Sequence, residues 1–463
     1  MTGTLLAANR AKMPNSTNKI GRYEVQQKIG AGAYGVVYKA MDPVLDRVVA
    51  IKVPSMTLDE DELAKLIMEF YREARIGAKF RHSNIVTVYD LGCNEHGETA
   101  AGEGLKLHYL VMEYVPGMTL KEYRNAEKNI SPKEILQIIF ECCKALDYIH
   151  FHNIIHRDIK LGNIVVNPNF STVKIMDFGI SDQVDHKAAK GAGTLLYMSP
   201  EHFIEGATLT AKTDIFALGS VMYQMLTSYP PFRGEKVEEV VENILNKEPL
   251  PITNFCTGMP EEVIALVTKA MQKNPDDRYA TALDFANDIS RVMDGLDGTA
   301  TSKKDRKTPA GEKMQKNEEY LFLRDNSWFK DFSPDLIDEL VRLGEIETFA
   351  EDQIIVTEGE KADAFYTMIS GAANVIKNSH EIDHMHGGDC FGELGHLSSN
   401  ARRQATVVAK DTTKVLKISM DTLADLSPAN QAALYKGFLK VTMDRLTERS
   451  LEVTMLIDQM KKK

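Results

Sequence analysis

The chain has 463 residues, which suggests about three domains at roughly 150 residues each. Hydrophobic residues make up 43% and charged residues 26%, the composition of a soluble globular protein, so disorder over the whole chain is excluded. The net charge of −11, from 55 basic and 66 acidic residues, argues against a protein that binds nucleic acid over its surface.

The five cysteines are scattered and form no Cys-x-x-Cys or Cys/His cluster, which predicts reduced thiols in a cytosol-like compartment. No apolar run reaches the about 20 residues that a membrane-spanning helix needs. The start of the chain holds only a short apolar piece, which is too short for the core of a signal peptide. We therefore expect a cytoplasmic protein with no membrane span and no nucleic-acid partner.

The first half of the chain changes from strand to helix patterns. Short β-like runs alternate with turns over 23–115, interrupted by one charged helical stretch over 59–79, and mainly helical patterns follow. Residues 294–320 are rich in Gly, Thr, Ser and Pro and carry six basic residues without hydrophobic periodicity, which predicts a linker. We expect a flexible arm over 1–20 and a first globular domain over 21–293.

The second half predicts a smaller unit. A short helical piece over 333–343 precedes β-like segments with glycine turns over 345–418, and helix follows to the end. This pattern predicts a small antiparallel β-roll or barrel with flanking helices. We expect this domain over 321–445 and a C-terminal helix over 446–463. Two globular units joined by a basic linker fit the whole pattern better than one.

A glycine-rich turn, a lysine and a glutamate come first in chain order. Residues 30–37 read G-x-G-x-x-G-x-V, and glycines let a backbone lie against phosphates because they carry no Cβ atom. This pattern alone is weak, because glycine-rich turns are common. Lys52 ends the run V-A-I-K on a predicted buried strand, where its ammonium group needs anionic partners. Glu73 lies on the helical stretch at a position able to turn inward.

A second group of polar residues follows in the helical part. Asp158 and Asn163 belong to the run H-R-D-I-K-L-G-N, and Asp177 opens D-F-G. Phosphoryl transfer needs clamped phosphates, a metal held by oxygen ligands and a carboxylate that orients the attacking hydroxyl. Asp158 supplies that carboxylate, and Lys52 neutralises phosphate oxygens. Asn163 and Asp177 supply the oxygen ligands that Mg²⁺ prefers.

In order and spacing, these residues resemble the signature set of the protein kinases over about residues 20–293. The resemblance implies an α+β, bilobal protein kinase fold with a β-rich N-lobe and a helical C-lobe. It implies ATP and Mg²⁺, or Mn²⁺ in its place, and transfer of the γ-phosphate to protein hydroxyls. Lys160, two residues after the catalytic aspartate, resembles the serine/threonine-directed class. The order of the domains and the lean helical lobe look like bacterial members.

The resemblance also implies roles for individual positions. Met112 is implied as the gatekeeper of the adenine pocket, and the backbone of residues 113–115 is implied to receive adenine. Glu201 and Arg278 are implied as a structural ion pair. The implied catalytic residues are Asp158, Lys160, Lys52 and Glu73. The implied ATP-binding residues, of which the last two also hold the metal, are Gly30, Gly32, Gly35, Val37, Ala50, Lys52, Met112, Glu113, Val115, Asn163 and Asp177.

The segment after Asp177 departs from the family. Between Asp182 and Gly193 it holds no Ser, Thr or Tyr, so no residue there can carry the loop phosphate that Arg157 often grips in the family. We hypothesise activation without loop phosphorylation, with Asp185 as a fixed anion. The alternative is that Asp185 is a solvated loop charge. Regulation is then expected from elsewhere in the chain.

Polar residues of the second unit suit a phosphodiester ligand. Phe391-Gly392-Glu393 offers backbone N–H groups and one carboxylate, and an arginine ten residues later offers a planar fork for a phosphate. The stretch resembles the cyclic-nucleotide-binding domain over about residues 325–445, which implies cAMP or cGMP as a regulatory ligand. In that family the glutamate takes the ribose 2′-hydroxyl and the arginine takes the cyclic phosphate. The implied ligand-binding residues are Gly392, Glu393, Leu394, Arg403, Gln404 and Ala405.

Three departures leave alternatives open in this domain, and one of them is that Gly395-His396 replaces a common apolar pair. The stretch between Glu393 and Arg403 is one residue longer than usual, so Arg402 is a rival for the phosphate role. Gln404 stands where the family usually has Ala or Thr. The alternative to ligand binding is a degenerate domain kept for packing. The residues do not choose between cAMP and cGMP.

The linker and the tail carry two further expectations. Thr308 lies in the basic run K-K-D-R-K-T-P-A, which is either a pseudosubstrate or autophosphorylation site or a solvated spacer. The tail has apolar positions at alternating spacings of four and three, which predict either a short dimerising coiled coil or a helix that packs on the barrel. These positions, with one serine among them, are Leu439, Met443, Leu446, Ser450, Val453, Ile457 and Met460.

Together these features predict an ATP-dependent protein serine/threonine kinase whose activity is controlled by a cyclic nucleotide bound to the C-terminal domain. The expected partners are proteins bearing Ser or Thr, the chain itself through autophosphorylation, and a second copy through the C-terminal helix. Two alternatives remain. One is a nucleotide-sensing pseudokinase scaffold, and the other is a constitutive kinase with a degenerate second domain.

Overall fold

The computed structural model divides into two compact units, one before and one after the boundary between residues 289 and 290. The structure describes residues 19–32, 35–55, 60–94, 107–126, 130–168, 170–177, 195–298, 319–324, 329, 332–392, 402–423, 425–440, 442–443 and 446.

The first unit begins with a six-stranded antiparallel sheet in the order β1-β2-β3-β4-β6-β5. Alternate residues of β4 and β6 pack into one core, because successive side chains of a strand point to opposite faces. The other face of these strands carries Lys52 and lies under the helix that follows β4. The strands are β1 (Lys19–Ile20), β2 (Tyr23–Gly32), β3 (Gly35–Asp42), β4 (Arg47–Pro54), β5 (Val88–Asn94) and β6 (Leu107–Glu113).

Helix α1 (Glu60–Gly77) packs on this sheet through one stripe of small and apolar residues. Leu66, Phe70 and Ala74 are buried at intervals of four residues, which is the spacing of one helix face. Phe70 and Ala74 pack against Leu110 of β6. Glu73 lies beside this stripe and therefore faces the sheet.

The rest of the first unit is helical except for a small sheet of β7 (Met118–Thr119), β8 (Ile164–Val166) and β9 (Val173–Ile175). Helix α3 begins after a capping box, in which the Ser131 side chain accepts from Glu134 N and Glu134 bonds back to the cap. Most of α3 and α4 is buried, as their long apolar runs predict. The helices are α2 (Leu120–Asn125), α3 (Pro132–Phe151), α4 (Ala211–Thr227), α5 (Val237–Asn246), α6 (Glu261–Ala270) and α7 (Ala282–Gly298).

The second unit contains helix α8 (Pro334–Leu343), two four-stranded antiparallel sheets and the short helix α9 (Met420–Leu423). The sheets have the orders β10-β17-β12-β15 and β11-β16-β13-β14, and residues of both form one core. A helix over 428–440 follows. The strands are β10 (Glu345–Phe349), β11 (Ile354–Val356), β12 (Ala364–Ser370), β13 (Ala372–Lys377), β14 (His380–His386), β15 (Cys390–Phe391), β16 (Thr406–Ala409) and β17 (Thr413–Ser419).

The expected α+β architecture is confirmed: a β-rich lobe and a helical lobe precede a β-roll with flanking helices. Helix α7 runs to Gly298, so the first residues of the segment 294–320, which the composition predicts as a linker, are helical. A low apolar content does not prevent a helix from extending by another turn. Among the helices of the described residues, none is both long and apolar enough to span a bilayer.

Candidate functional site

An ammonium group and two carboxylates meet between β4, α1 and the end of β9. Lys52 Nζ donates to Glu73 Oε1 and Oε2 at 2.9 and 3.1 Å and to Asp177 Oδ1 at 3.0 Å. Burial alone would lower the pKa of Lys52, but Asp177 and Glu73 outweigh it and hold the pKa above its ordinary value. The same burial raises the pKa of Glu73, while the charge of Lys52 opposes the rise. The sequence motifs therefore converge on one charged cluster.

The predicted catalytic carboxylate lies in the loop before β8, and its partners are one ammonium group and one side-chain amide. Lys160 Nζ donates to both oxygens of Asp158, at 2.8 and 2.7 Å. Asn163 Nδ2 donates to the backbone oxygen of Asp158 at 2.9 Å and to its Oδ2 at 2.8 Å. These bonds fix the orientation of the Asp158 carboxylate.

A buried aspartate on α4 holds this loop from behind. Asp214 accepts the backbone N–H groups of His156 and Arg157 at 2.8 Å each and the ring nitrogen Nε2 of His150 at 2.8 Å. Burial would raise the pKa of Asp214, but these hydrogen bonds and the nearby histidines hold it below its ordinary range. Arg157 has a φ of 65° and Asp177 a φ of 58°, so the two loop residues occupy the left-handed region that costs energy for residues other than glycine.

The implied ion pair of the helical lobe is present and sealed from solvent. Arg278 donates to both carboxylate oxygens of Glu201, at 2.7 and 2.8 Å. Thr213 Oγ1 donates to the same carboxylate at 3.0 Å. Burial opposes ionisation of Glu201, but Arg278 outweighs it and lowers the pKa of that carboxyl. The pair anchors the segment that begins at Leu195 to the helical lobe.

A cluster of apolar residues lies beside this charged cluster, at several of the positions that the resemblance implies for the adenine pocket. Its members come from β2, β3, β4 and β6, from the chain before β5, from the chain after β6 and from the residue after β9. Four of them are residues for which the kinase resemblance implies ATP binding: Val37, Ala50, Met112 and Val115. The whole cluster consists of Ile29, Val37, Ala50, Val86, Met112, Tyr114, Val115 and Met176.

Sequence reasoning missed Ile29, Val86 and Met176 in this pocket, because isolated apolar residues look like ordinary core. A usable signal is position: Ile29 comes directly before the glycine-rich turn and Met176 directly before Asp177. The side chain of Glu113 instead pairs with Lys174 at 3.0 Å, so Glu113 can serve a ligand through its backbone. Met112 also lines a small cavity, together with Glu73, Gly77, Val86, Val88, Leu110, Met176 and Asp177.

The glycine-rich turn joins β2 to β3. Gly32 and Gly35 pair across this hairpin. Gly35 has a φ of 152°, and a Cβ atom built there would lie 2.1 Å from the backbone oxygen of Val53, so a side chain does not fit. A Cβ atom built at Gly30 would fit, since its nearest neighbour would be the Val37 side chain at 3.7 Å.

The residues suited to hold a divalent cation are one amide and one carboxylate. Asn163 uses its amide nitrogen on Asp158, so its oxygen is the atom that it can offer to a cation. Met176 N donates to Asn163 O at 2.9 Å, which brings Asp177 next to this amide. Among the described residues, no group of three or more His, Cys, Asp or Glu side chains could hold a metal. Two hard oxygen ligands fit a Mg²⁺ ion that takes its other ligands from phosphates and water.

In the second unit, a buried arginine that precedes β16 in the chain lies beside the end of β15. The Arg403 side chain is 4% exposed and its NH1 donates to Ala364 O at 2.8 Å. Gly392 has a φ of 89°, and a Cβ atom there would lie 2.4 Å from Arg403 NH1. Arg402 is exposed and donates to Gly359 O at 2.6 Å, so the structure brings Arg403, and not Arg402, to the Phe391-Gly392 turn.

The remaining residues that the sequence singles out either lie away from the Arg403 side chain or fall outside the described residues. Gln404 is exposed, and Ala405 is half-buried directly before β16. Glu393 and Leu394 lie outside the described residues, as do Asp185, Thr308 and the tail beyond residue 446. The role of each therefore remains a prediction.

Two family models match the chain. The model described as protein kinase domain matches residues 23–288, and the model described as cyclic nucleotide-binding domain matches residues 346–430. The first match covers more than half of the chain and the second lies within the β-roll unit.

Similar proteins are bacterial kinases. The serine/threonine-protein kinase PknB of Mycolicibacterium smegmatis is 39% identical over 281 residues, which cover 59% of this chain and 43% of that relative. PknB of Mycobacterium tuberculosis is 37% identical over 280 residues, with the same coverage. PrkC of Bacillus subtilis is 37% identical over 278 residues, covering 59% of this chain and 41% of that kinase. The match thus spans less than half of each relative. By the kinase-domain match and the charged cluster around Lys52, the chain belongs to the protein kinase domain family and carries a cyclic nucleotide-binding domain after it.

Proposed function

We propose that the chain is an ATP-dependent protein kinase that transfers the γ-phosphate to serine or threonine hydroxyls of proteins. The observation that carries this proposal is the cluster in which Lys52 contacts both Glu73 and Asp177 at 3.1 Å or less. A buried ammonium held between two carboxylates is poised to meet phosphate oxygens. The names of the relatives as serine/threonine-protein kinases support the substrate class.

In this proposal each group has one task. The apolar pocket around Ala50 and Met112 takes adenine, and Lys52 binds phosphate oxygens. Mg²⁺, or Mn²⁺, held by Asn163 and Asp177 supplies charge neutralisation at the phosphates when bound. Asp158 accepts the proton of the substrate hydroxyl and orients it for attack. Lys160, which pairs with Asp158, is assigned to the negative charge that develops on the transferred phosphate.

Phosphate transfer from labelled MgATP to a generic protein substrate, and to the chain itself, tests the proposal. We expect Asp158→Asn and Asp177→Ala to lower kcat by at least about 100-fold, because each removes a group needed in the transition state. The matched control is Glu262→Gln on α6, an exposed carboxylate that should leave activity unchanged. Wild-type transfer no higher than that of Asp177→Ala, over several substrates, would favour the pseudokinase scaffold.

We further propose that the second domain binds cAMP or cGMP with Arg403 on the cyclic phosphate. Among the described residues, the carboxylate nearest to this buried guanidinium is Asp363, at 3.4 Å and 69% exposed, so the positive charge is weakly compensated and an anion would stabilise it. Glu393 is assigned to the ribose hydroxyl, the backbone of Gly392, Leu394 and Ala405 to the phosphate, and Gln404 to the edge of the site.

Calorimetric titration with each nucleotide tests this site. We expect Arg403→Lys to weaken binding by at least about tenfold, because a point charge replaces a bidentate fork. Arg402→Lys is the matched control and should bind as the wild type does. Loss in Arg402→Lys with full binding in Arg403→Lys would exchange the two roles, and no binding of either nucleotide would support a degenerate domain.

Control of the kinase by the nucleotide is the last part of the proposal. A hundredfold change in activity requires about 2.7 kcal/mol of coupling between ligand binding and the active state. Kinase assays with and without each nucleotide measure it, and activity indifferent to a bound nucleotide would leave a constitutive kinase. Deletion of 301–316 tests the proposal that the linker around Thr308 acts as a pseudosubstrate or autophosphorylation site.

We also propose a cytoplasmic location and a dimer through the C-terminal helix. The five cysteines are free thiols, which supports the location, and cell fractionation tests it. In the tail, Leu439, Met443 and Leu446 are 56%, 65% and 66% exposed, whereas Leu434 and Phe438 are buried, so the helix has a second apolar face. Light scattering on Met443→Lys should show a smaller mass than the wild type; equal monomeric masses would favour packing.

A further inference from the structure

We infer that Tyr71 is a positioning residue for the Lys52–Glu73 pair, acting through a contact with His108 that fixes the rotation of helix α1. The Tyr71 hydroxyl lies 3.0 Å from His108 Nδ1, and the two rings meet edge to face with centroids 5.5 Å apart. Neither residue belongs to the motifs that predict the kinase site. The inference rests on the proposed function, because it concerns how Glu73 is presented to Lys52.

The contact lies on the face of the sheet that carries the site. Along β6, Tyr109 and Val111 point into the core on the far side, so His108 and Leu110 point toward α1. Lys52 of β4 is the register partner of Leu110 in the sheet. Three neighbouring positions on one sheet face therefore hold α1: Lys52, Leu110 and His108.

The three points differ in where they hold the helix. Phe70 and Ala74 belong to the buried stripe along α1 and pack on Leu110. Tyr71 and Glu73 are two residues apart, so they lie roughly 160° apart around the helix axis, on opposite sides of that stripe. Tyr71 is joined to β6 and Glu73 to Lys52 on β4.

This arrangement couples the two contacts. Apolar packing in the middle of the stripe is not directional and permits the helix to roll. A roll that carries Glu73 away from Lys52 also carries Tyr71 out of hydrogen-bond distance of His108. The hydrogen bond on the far side of the helix therefore increases the fraction of molecules in which Glu73 reaches Lys52.

Removal of the hydroxyl from the full chain tests the inference. We expect Tyr71→Phe to lower kcat by about two- to tenfold, the value of one neutral hydrogen bond, with a change in KM for ATP of less than about twofold. The KM for ATP should stay nearly unchanged because the apolar cluster proposed to take adenine contains no residue of α1. Backbone amides of residues 60–77 should exchange with deuterium faster in this variant. Tyr229→Phe, which removes a hydroxyl from a half-exposed tyrosine in the helical lobe, is the matched control and should change neither quantity.

Variants of the partner distinguish positioning from general stability. His108→Asn keeps a polar atom near the position of Nδ1 and should retain most of kcat, whereas His108→Leu should lose as much as Tyr71→Phe. The double variant Tyr71→Phe with His108→Leu should be no worse than either single variant, since both remove one bond. Wild-type kcat in Tyr71→Phe, or losses that add fully in the double variant, would overturn the inference.

Failure of the proposed function is distinguishable from failure of this inference. A wild-type chain that transfers no phosphate would remove the proposed function. Deuterium exchange over residues 60–77 would then still decide the inference, because it follows the helix and not the reaction. Unchanged exchange in both Tyr71→Phe and His108→Leu would show that this contact does not hold α1.

Discussion

Arg278 illustrates how much one buried charge can determine at the scale of a single residue. Its guanidinium also donates to the backbone oxygens of Gln272, Lys212 and Lys273, at 2.7 to 3.0 Å. We expect Arg278→Met to lower the free energy of unfolding by at least about 3 kcal/mol at pH 7, because it leaves the Glu201 carboxylate buried without its partner. Urea denaturation of the first unit measures this loss.

The same variant has a pH signature. The pKa of Glu201 lies below its ordinary value of 4.5 in the folded protein, so the pair contributes stability above that pH and loses it as the pH falls through the lowered pKa. Protonation removes the charge that Arg278→Met leaves buried without its partner, so the loss in this variant should shrink as the pH falls. Lys19→Met, in an exposed pair with Glu24, is the control and should cost about 1 kcal/mol or less at either pH. A loss independent of pH would contradict the argument.

At the scale of the element, a capping box formed by Ser131 and Glu134 stabilises the start of α3. Ser131 Oγ accepts from Glu134 N at 3.3 Å, and Glu134 Oε2 accepts from Ser131 N at 2.7 Å. We expect Ser131→Ala to lower the free energy of unfolding by about 1 kcal/mol, because a helix-end N–H group loses its acceptor. Ser131→Thr keeps the acceptor and should recover most of that loss in the same urea titration. Equal stability of the Ala and Thr variants would show that the box does not stabilise the helix.

The elements also show what a sequence reveals and what it does not. Lys52, Asp158, Asn163 and Asp177 could be singled out because each stands in a short recognisable run, and the structure brings Lys52 to Asp177 and Asn163 to Asp158. The support given by Asp214 to the loop before β8 was not, since its partners His156 and Arg157 lie more than fifty residues away in the chain. Strand and helix order followed from periodicity, but helix α7 continues for five residues beyond residue 293, where the predicted linker begins.

At the scale of the whole molecule, the two units have separate cores, so calorimetry should show two unfolding transitions. A cyclic nucleotide at 100 times its Kd should stabilise the unit that binds it by about 2.7 kcal/mol. If the nucleotide controls the kinase, as we propose, it should also move the other transition. Arg403→Ala is the control and should show neither shift. A shift confined to one transition would favour a constitutive kinase.

The cavity lined by Met112 offers a way to identify the proteins that the proposed kinase modifies. A shorter side chain at this position, as in Met112→Gly, would join the adenine pocket to the space lined by Val88 and Leu110. An ATP analogue with a bulky group on the adenine amine would then enter this enzyme and be refused by kinases that keep a large residue there. With a thiophosphate as the transferred group, every protein labelled in a cell extract would be a direct product of the kinase activity that we propose for this chain.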